Sequence, residues 1–204
     1  GSMPLLAPMS AIAGQISIVV GSYHLLKHNL GKGVLIGSFG DISPRIVTVI
    51  GGGVAGTEAI SKAVANDAFV KVIDLSKDKL VELEARFGNQ NIEYILSSPQ
   101  NIQDAIAISD MVIGAVYVIG KEAPKIVTLD MLKAMKPGTV MVDISIDQGG
   151  CFESSKPTTH DNPTFLVDGV LHYCVTNMPG AVPLTATEAL NRETLPYILE
   201  LANK

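Results

Sequence analysis

The sequence predicts an α/β fold in which helices cover both faces of a mostly parallel, doubly wound sheet. Short apolar segments rich in β-branched residues alternate with helical segments, an order typical of right-handed crossovers between parallel strands. The chain of 204 residues is 47% hydrophobic and only 17% charged. Its mean hydropathy of +0.33 indicates a core buried on more than one side. We therefore expect a sheet that is covered on both faces.

The first predicted element is a helix over residues 10–28, where apolar residues recur near helical spacing and Ser10 is placed to act as N-cap. The apolar positions of this helix exceed what one buried face requires, so we expect it to form a subunit contact. Residues 1–3 read as an expression-tag scar, and we expect the natural start to lie upstream of Met3. The Gly- and Ser-rich stretch 31–44 is predicted to be a loop.

After this loop the strand and helix patterns alternate to the end of the chain. Apolar, β-branched runs predict strands over residues 45–50, 69–73, 92–96, 111–116, 139–142 and 171–175. Helical patterns lie between and after them, over residues 54–65, 77–87, 102–108, 129–135 and 185–202. Residues 151–168, which hold two prolines, read as an excursion from the sheet. We treat residues 4–204 as a single domain.

Composition excludes several classes of protein. With 15 Lys and Arg against 20 Asp and Glu, no basic patch for nucleic acid is expected. Polar residues interrupt the apolar stretches 11–26 and 106–119, so no membrane span is expected. Cys151 and Cys174 provide no disulfide framework and read as small apolar residues, which favours the cytoplasm. The four histidines show no metal spacing: His24, His28, His160 and His172.

A glycine-rich turn carries the clearest chemical signal. Gly51, Gly53 and Gly56 form the Gly-x-Gly-x-x-Gly pattern between a predicted strand and a predicted helix, as in Rossmann-type domains. In that setting Gly51 permits the tight turn, Gly53 admits a pyrophosphate close to the backbone, and Gly56 lets the helix lie close to the strand. The phosphates would meet free N–H groups at a helix N-terminus. A glycine turn that binds nothing is the alternative.

Asp74 follows the second predicted strand, where dinucleotide-binding folds place an acid for the adenosine ribose hydroxyls. A carboxylate there favours NAD, because a 2′-phosphate would face a like charge and residues 75–78 contain no Arg. The alternative role for Asp74 is that of a helix N-cap.

Two further segments follow predicted strands at their carboxyl ends. Asp147 lies where open α/β sheets bind their ligands, although an ordinary turn carboxylate is about as probable from local chemistry alone. Asp143 lies at the strand end and is expected to be structural. Asn177 and Met178 lie in a stretch that two prolines keep from forming helix, which either lines a nicotinamide pocket or merely connects two elements.

These motifs together resemble the alanine dehydrogenase family. The resemblance rests on the glycine turn, on Asp74, on the run Asp147-Gln148-Gly149-Gly150 and on the run Asn177-Met178-Pro179. It implies an oxidoreductase that converts L-alanine, NAD and water reversibly to pyruvate, ammonia and NADH, in an enzyme that is usually a hexamer. Family members also carry a substrate domain with the catalytic His and the substrate-binding Lys. Nothing in this chain corresponds to it, so we expect a chain that binds NAD(H) without catalysis.

The resemblance also assigns residues. It places Ser10, Val54 and Ala55 near the cofactor phosphates, and Asp74, Lys79 and Ser97 around the adenosine. It implies a nicotinamide side lined by Val116 and Tyr117, by residues 144–147 and by residues 175–178. This set includes Ile144, Val175, Asn177, Met178 and the catalytic candidate Asp147. Lys156 stands where relatives often carry Arg, and a Lys lacks the planar fork for a bidentate contact.

Two other functions remain open from the sequence. The nucleotide-binding subunit of a nicotinamide nucleotide transhydrogenase shares the glycine turn, although the Asp-Gln-Gly-Gly run favours the dehydrogenase. A nucleotide-sensing module would use the same pocket without chemistry.

Overall fold

The computed structural model describes residues 6–203, which form a seven-stranded sheet flanked by helices. The expected tag scar lies outside the described residues. The strands are β1 (Ile46–Ile50), β2 (Phe69–Asp74), β3 (Ile92–Leu96), β4 (Met111–Gly114), β5 (Val140–Asp143), β6 (Thr164–Val167) and β7 (Val170–Tyr173). The α-helices are α1 (Ala7–His24), α2 (Val54–Ala65), α3 (Lys77–Phe87), α4 (Pro99–Ile108), α5 (Leu129–Leu132) and α6 (Pro183–Ala202).

The strand order β3-β2-β1-β4-β5-β7-β6 places the start of the fold at the centre of the sheet. All neighbouring strands run parallel except β6, which pairs antiparallel with β7. The chain winds outward from β1 to β3 and then returns to β4 on the other side of β1. This reversal opens a crevice at the carboxyl ends of β1 and β4, where open α/β sheets bind ligands. The predicted fold class is confirmed.

The core lies on both faces of the sheet because the central strands bury side chains on either side. One face, which includes Val47 and Val49, packs under α1, α2 and α3. The opposite face, which includes Ile50 and Met141, packs under α4, α5 and the fully buried Phe152. This is the arrangement that the low charge content predicts.

The first helix begins earlier than predicted. It starts at Ala7 with Leu6 at the N-cap position, and Pro8 occupies its first turn, where a missing N–H costs nothing. The predicted N-cap role of Ser10 is therefore wrong: Ser10 lies inside the helix, and its N–H donates to the Leu6 carbonyl at 3.0 Å. The helix ends at His24 rather than at residue 28, and a short 3₁₀ turn over Lys27–Asn29 follows.

The predicted excursion over residues 151–168 is wrong in its last part, because β6 returns to the sheet there. A two-residue turn at Asp168 and Gly169, both with positive φ, joins β6 to β7 as a hairpin. Among residues 6–203, no helix has both the length and the apolar character needed to cross a membrane.

Candidate functional site

A cavity of about 970 Å³ opens at the carboxyl ends of the central strands. Its walls come from segments that directly follow β1, β2, β4 and β5, together with the start of α1 and the chain after β7. Most of the residues predicted for the site line this one cavity: Ser10, Gly51, Gly53, Val54, Ala55, Asp74, Lys79, Ser97, Val116, Tyr117, Ile144, Asp147, Asn177 and Met178.

The glycine turn supplies a wall made of backbone. Gly51 adopts φ +101°, and a Cβ there would lie 2.5 Å from the Ala115 carbonyl oxygen. Gly53 occupies the N-cap position of α2 and has no side chain, and a Cβ there would meet open space. The first turn of α2 therefore presents N–H groups to the cavity that no side chain of residues 6–203 caps. An anion is the natural partner for such a helix end.

Gly56 does not line the cavity and has a packing role instead. A Cβ at this position would overlap the Gly51 carbonyl oxygen, so only glycine allows α2 to start directly beside the end of β1. This is the role that the sequence pattern predicts for it.

Asp74 joins the end of β2 to the glycine turn. Its Oδ2 accepts a hydrogen bond from the Gly52 N–H at 2.7 Å, and its Oδ1 accepts one from the Ser76 N–H at 2.8 Å. The N-cap of α3 is Ser76, whose hydroxyl accepts the Lys79 N–H, so Asp74 is not the helix cap. The carboxylate is thus fixed in the cavity wall.

The start of α1 reaches the cavity because α1 and α2 pack very closely. Gly14 allows this approach, since a Cβ there would overlap the Ala55 carbonyl oxygen. Gln15 then donates to Glu58 of α2 at 2.9 Å. This packing carries Ser10, one turn earlier, to the cavity wall beside the glycine turn.

The loop after β4, residues 115–124, forms the opposite wall and is tied to residues 144–148. The Ser145 hydroxyl donates to the Val116 carbonyl at 2.7 Å. Gln148 makes two bonds to Val118, donating to its carbonyl at 3.0 Å and accepting its N–H at 3.4 Å. Gln148 is a cavity residue that the sequence analysis did not assign. The signal available was its place inside the run that contains Asp147.

Asp147 is exposed and contacts the segment after β7. Its Oδ1 accepts the Asn177 N–H at 3.3 Å. Its Oδ2 accepts no hydrogen bond from residues 6–203 and remains available to a ligand. Met178 follows Asn177 and is 2% exposed, which closes this end of the cavity.

Asp143 has the structural role that was expected. It is fully buried at the end of β5, and its carboxylate accepts the Cys151 N–H at 2.9 Å, the Phe152 N–H at 3.4 Å and the Ser155 hydroxyl. Burial raises the pKa of the Asp143 carboxyl, and these hydrogen bonds oppose that rise. Burial also raises the pKa of the Cys174 thiol to about 12, so this cysteine stays protonated and behaves as a small apolar residue.

Besides Gly56, two further predicted residues do not line the cavity. Val175 is fully buried, and its backbone forms a bridge with that of Thr158. Its role is therefore to hold the segment that follows it in place. Lys156 is exposed on the excursion and does not line the cavity. The resemblance assigned both of them to the site, and the structure does not bring them together with the other residues.

The sheet order, the glycine turn and the crevice at the reversal define a Rossmann-type nucleotide-binding domain. The chain belongs to the family described as "Alanine dehydrogenase/PNT, C-terminal domain", whose model matches residues 17–204. The expected family is therefore confirmed.

Individual relatives agree with this assignment. The alanine dehydrogenase of Mycolicibacterium smegmatis is 51% identical over all of this chain and 55% of its own length. A solved structure of an L-alanine dehydrogenase superposes with a TM-score of 0.96 at 47% identity, over 100% of this chain and 56% of that chain. A transhydrogenase from Sinorhizobium meliloti is more distant, with a TM-score of 0.81 and 25% identity over 97% of this chain and 55% of that chain. The chain spans about half the length of the curated relatives it matches.

Proposed function

We propose that this chain is the NAD(H)-binding domain of an alanine dehydrogenase. The observation that carries the proposal is the position of Asp74: its carboxylate is fixed on the glycine turn by the Gly52 N–H, in the wall of the same cavity as Gly53 and the start of α2. An anion site and a ribose-binding acid thus lie side by side, as a dinucleotide requires.

The residues present fit NAD. The open space at Gly53 and the uncapped start of α2 would hold the pyrophosphate. Asp74 would accept hydrogen bonds from the ribose hydroxyls, with Lys79 and Ser97 beside it. Val116, Tyr117, Ile144, Asn177 and Met178 would surround the nicotinamide at the other end of the cavity. When bound there, NAD supplies a hydride acceptor.

The reaction we propose for the whole enzyme is L-alanine + NAD⁺ + H₂O → pyruvate + NH₄⁺ + NADH + H⁺, in either direction. Asp147 is the catalytic candidate of this chain, because its Oδ2 is free within residues 6–203 to accept a hydrogen bond from the reacting amine or from water. The Asn177 N–H holds the other oxygen and so fixes the direction of the carboxylate. Correct placement of such a group contributes to rate through orientation.

The partners we propose are NAD(H), with L-alanine and pyruvate in the whole enzyme, and further copies of the chain in a homo-oligomer, a hexamer as in the family. Val19 and Tyr23 of α1 are 56% and 53% exposed, which leaves an apolar strip on that helix. We place the protein in the cytoplasm. Sedimentation at high concentration tests the association, and a strict monomer would contradict it.

Calorimetry with the 204-residue chain tests the cofactor. We expect NADH to bind and NADPH to bind much more weakly, because the Asp74 carboxylate repels a 2′-phosphate. Equal affinities would contradict the role of Asp74, and no binding of either cofactor would contradict the proposed function. We also expect no reduction of NAD by this chain with L-alanine, followed by absorbance. A full-length parent enzyme carrying Asp147→Asn should be strongly impaired, and full activity would remove Asp147 from catalysis.

A further inference from the structure

The backbone of Asn177 is unusual at a point where it forms the rim of the cavity. It adopts φ 53° and ψ 54°, the left-handed region, which a non-glycine residue occupies only with local support. Asn177 lines the cavity, and the next residue, Met178, is buried in the same wall. The geometry of this one residue therefore sets the position of two cavity residues.

Both backbone groups of Asn177 are held by side chains from elsewhere in the chain. Its N–H donates to Asp147 Oδ1 at 3.3 Å. Its carbonyl oxygen accepts the Gly180 N–H at 2.9 Å and a hydrogen bond from His160 Nε2 at 3.2 Å. Because the partner is a carbonyl oxygen, Nε2 carries the hydrogen in this contact. The Gly180 bond closes a local turn, whereas the His160 bond comes from a segment 17 residues away.

Contacts within the excursion after β5 fix the position of His160. Thr158 forms a parallel bridge with Val175: its N–H donates to the Cys174 carbonyl at 2.9 Å, and its own carbonyl accepts the Thr176 N–H at 3.3 Å. The Thr158 hydroxyl donates to the Pro163 carbonyl at 2.9 Å, which folds residues 158–163 back on themselves. His160 is thereby placed beside Asn177, although it does not itself line the cavity.

We propose that His160 is a positioning residue for the nicotinamide end of the site: its hydrogen bond to the Asn177 carbonyl keeps Asn177 and Met178 in the cavity wall. This inference rests on the proposed function. Since the Gly180 bond still closes the turn without His160, removal of the imidazole should loosen the wall without unfolding the domain. The adenosine end, built from the glycine turn and Asp74, should be unaffected.

The test compares His160→Ala and His160→Gln with the native chain, using NADH and ADP as two separate probes. NADH binding is followed by the emission of the reduced nicotinamide, which is free of tryptophan background because the chain contains no Trp. ADP binding is followed by calorimetry. His28→Ala is the matched control, an exposed histidine in the 3₁₀ turn after α1.

For His160→Ala we expect about 3- to 10-fold weaker NADH binding, the loss of one hydrogen bond, with ADP affinity unchanged. The emission of bound NADH should move toward that of free NADH, because water reaches the ring. His160→Gln, whose amide can donate the same bond, should recover most of the affinity. His28→Ala should behave as the native chain.

Two results would overturn the inference while leaving the proposed function in place. Unchanged NADH affinity in His160→Ala would show that the contact does not position the wall. Equal weakening of NADH and ADP would show a general structural role. Failure of the native chain to bind either probe would instead remove the proposed function, and this inference with it.

Discussion

The two ends of the cavity are built in different ways. At the end formed by the glycine turn, the wall is backbone, and its shape follows from glycines and from one acid that lie within 24 residues of one another. At the opposite end, the wall consists of residues 115–124 and 177–179. Hydrogen bonds that involve the side chains of Ser145, Gln148, Asp147 and His160 hold this wall, and each joins residues that are 17 to 30 positions apart in the sequence. The first end is fixed by packing, and the second depends on a few polar contacts that can each be removed.

The largest effect should come from the packed end, with Gly56→Ala. The added methyl would overlap the Gly51 carbonyl oxygen, so α2 must move away from β1. We expect a loss of about 3 kcal/mol or more in the free energy of unfolding, measured by urea denaturation. Gly53→Ala is the matched control because its Cβ meets open space, and it should unfold as the native chain does while binding NADH more weakly. Similar stability of the two variants would contradict the packing argument.

Asp74→Ala should have the next largest effect, measured on cofactor binding. Loss of a hydrogen-bonded charged group should weaken NAD binding by about 1.5–3 kcal/mol. NADPH binding should not weaken, since the variant removes a repulsion as well as an acceptor. Calorimetry with both cofactors measures the difference. Asp74→Asn retains an acceptor for the Gly52 N–H, so it separates the effect of charge from the effect on the turn. Unaltered discrimination in both variants would show that Asp74 does not select the cofactor.

The same difference between the two ends explains what could be predicted from the sequence. An apolar, β-branched run predicted β3 to the residue and a helical pattern predicted α3 to the residue, because each signal lies within a single element. The glycine turn and Asp74 could also be predicted, because the residues that form this end of the cavity lie close together in the sequence. The exception among local features is β6: the pair Asp168-Gly169 between apolar residues signals a hairpin, but two nearby prolines suggested an excursion.

At the opposite end, Asp147, Asn177 and Met178 were candidates because they follow predicted strands, and the resemblance supplied the other residues. Nothing local in the sequence shows that Gln148 binds Val118 or that His160 binds Asn177, because each contact joins segments that only the sheet order brings together. Val175 and Lys156 show the converse: the resemblance gave both a site role, whereas one side chain is buried in the core and the other is exposed away from the cavity.

A smaller effect on cofactor binding is expected for Gln148→Ala, which weakens the opposite end of the cavity. It removes both side-chain bonds to Val118 and leaves the backbone bond from the Ala123 N–H to the Gln148 carbonyl. We expect NADH binding to weaken by about 1 kcal/mol and ADP binding to stay the same. Amide hydrogen exchange should rise in residues 115–124. Gln148→Glu keeps the acceptor and loses the donor, so it should be intermediate. An unchanged exchange rate in Gln148→Ala would mean that the loop is held by other contacts.

The smallest expected effect is on the pH dependence of stability, and it comes from His172 in β7. The ring is fully buried; its Nδ1 donates to the Val170 carbonyl at 3.0 Å, so its Nε2 accepts the Ser154 hydroxyl at 2.7 Å. Burial lowers the pKa of His172 below its ordinary value of 6.5. Below pH 6.5 the unfolded chain takes up a proton that the folded chain does not. The free energy of unfolding therefore falls as the pH drops through 6.5, until the folded pKa is reached.

The measurement is the slope of unfolding free energy against pH between 7.5 and 5.5, compared between the native chain and His172→Gln. The slope should decrease in the variant but persist in part, because burial also lowers the pKa of His24. Burial raises the pKa of Asp143, which acts with the opposite sign, so only the difference between the two chains isolates His172. If His172→Gln keeps the native slope, His172 gains a proton as readily in the folded chain as in the unfolded one, and its ring does not hold Ser154 of the excursion as a neutral imidazole.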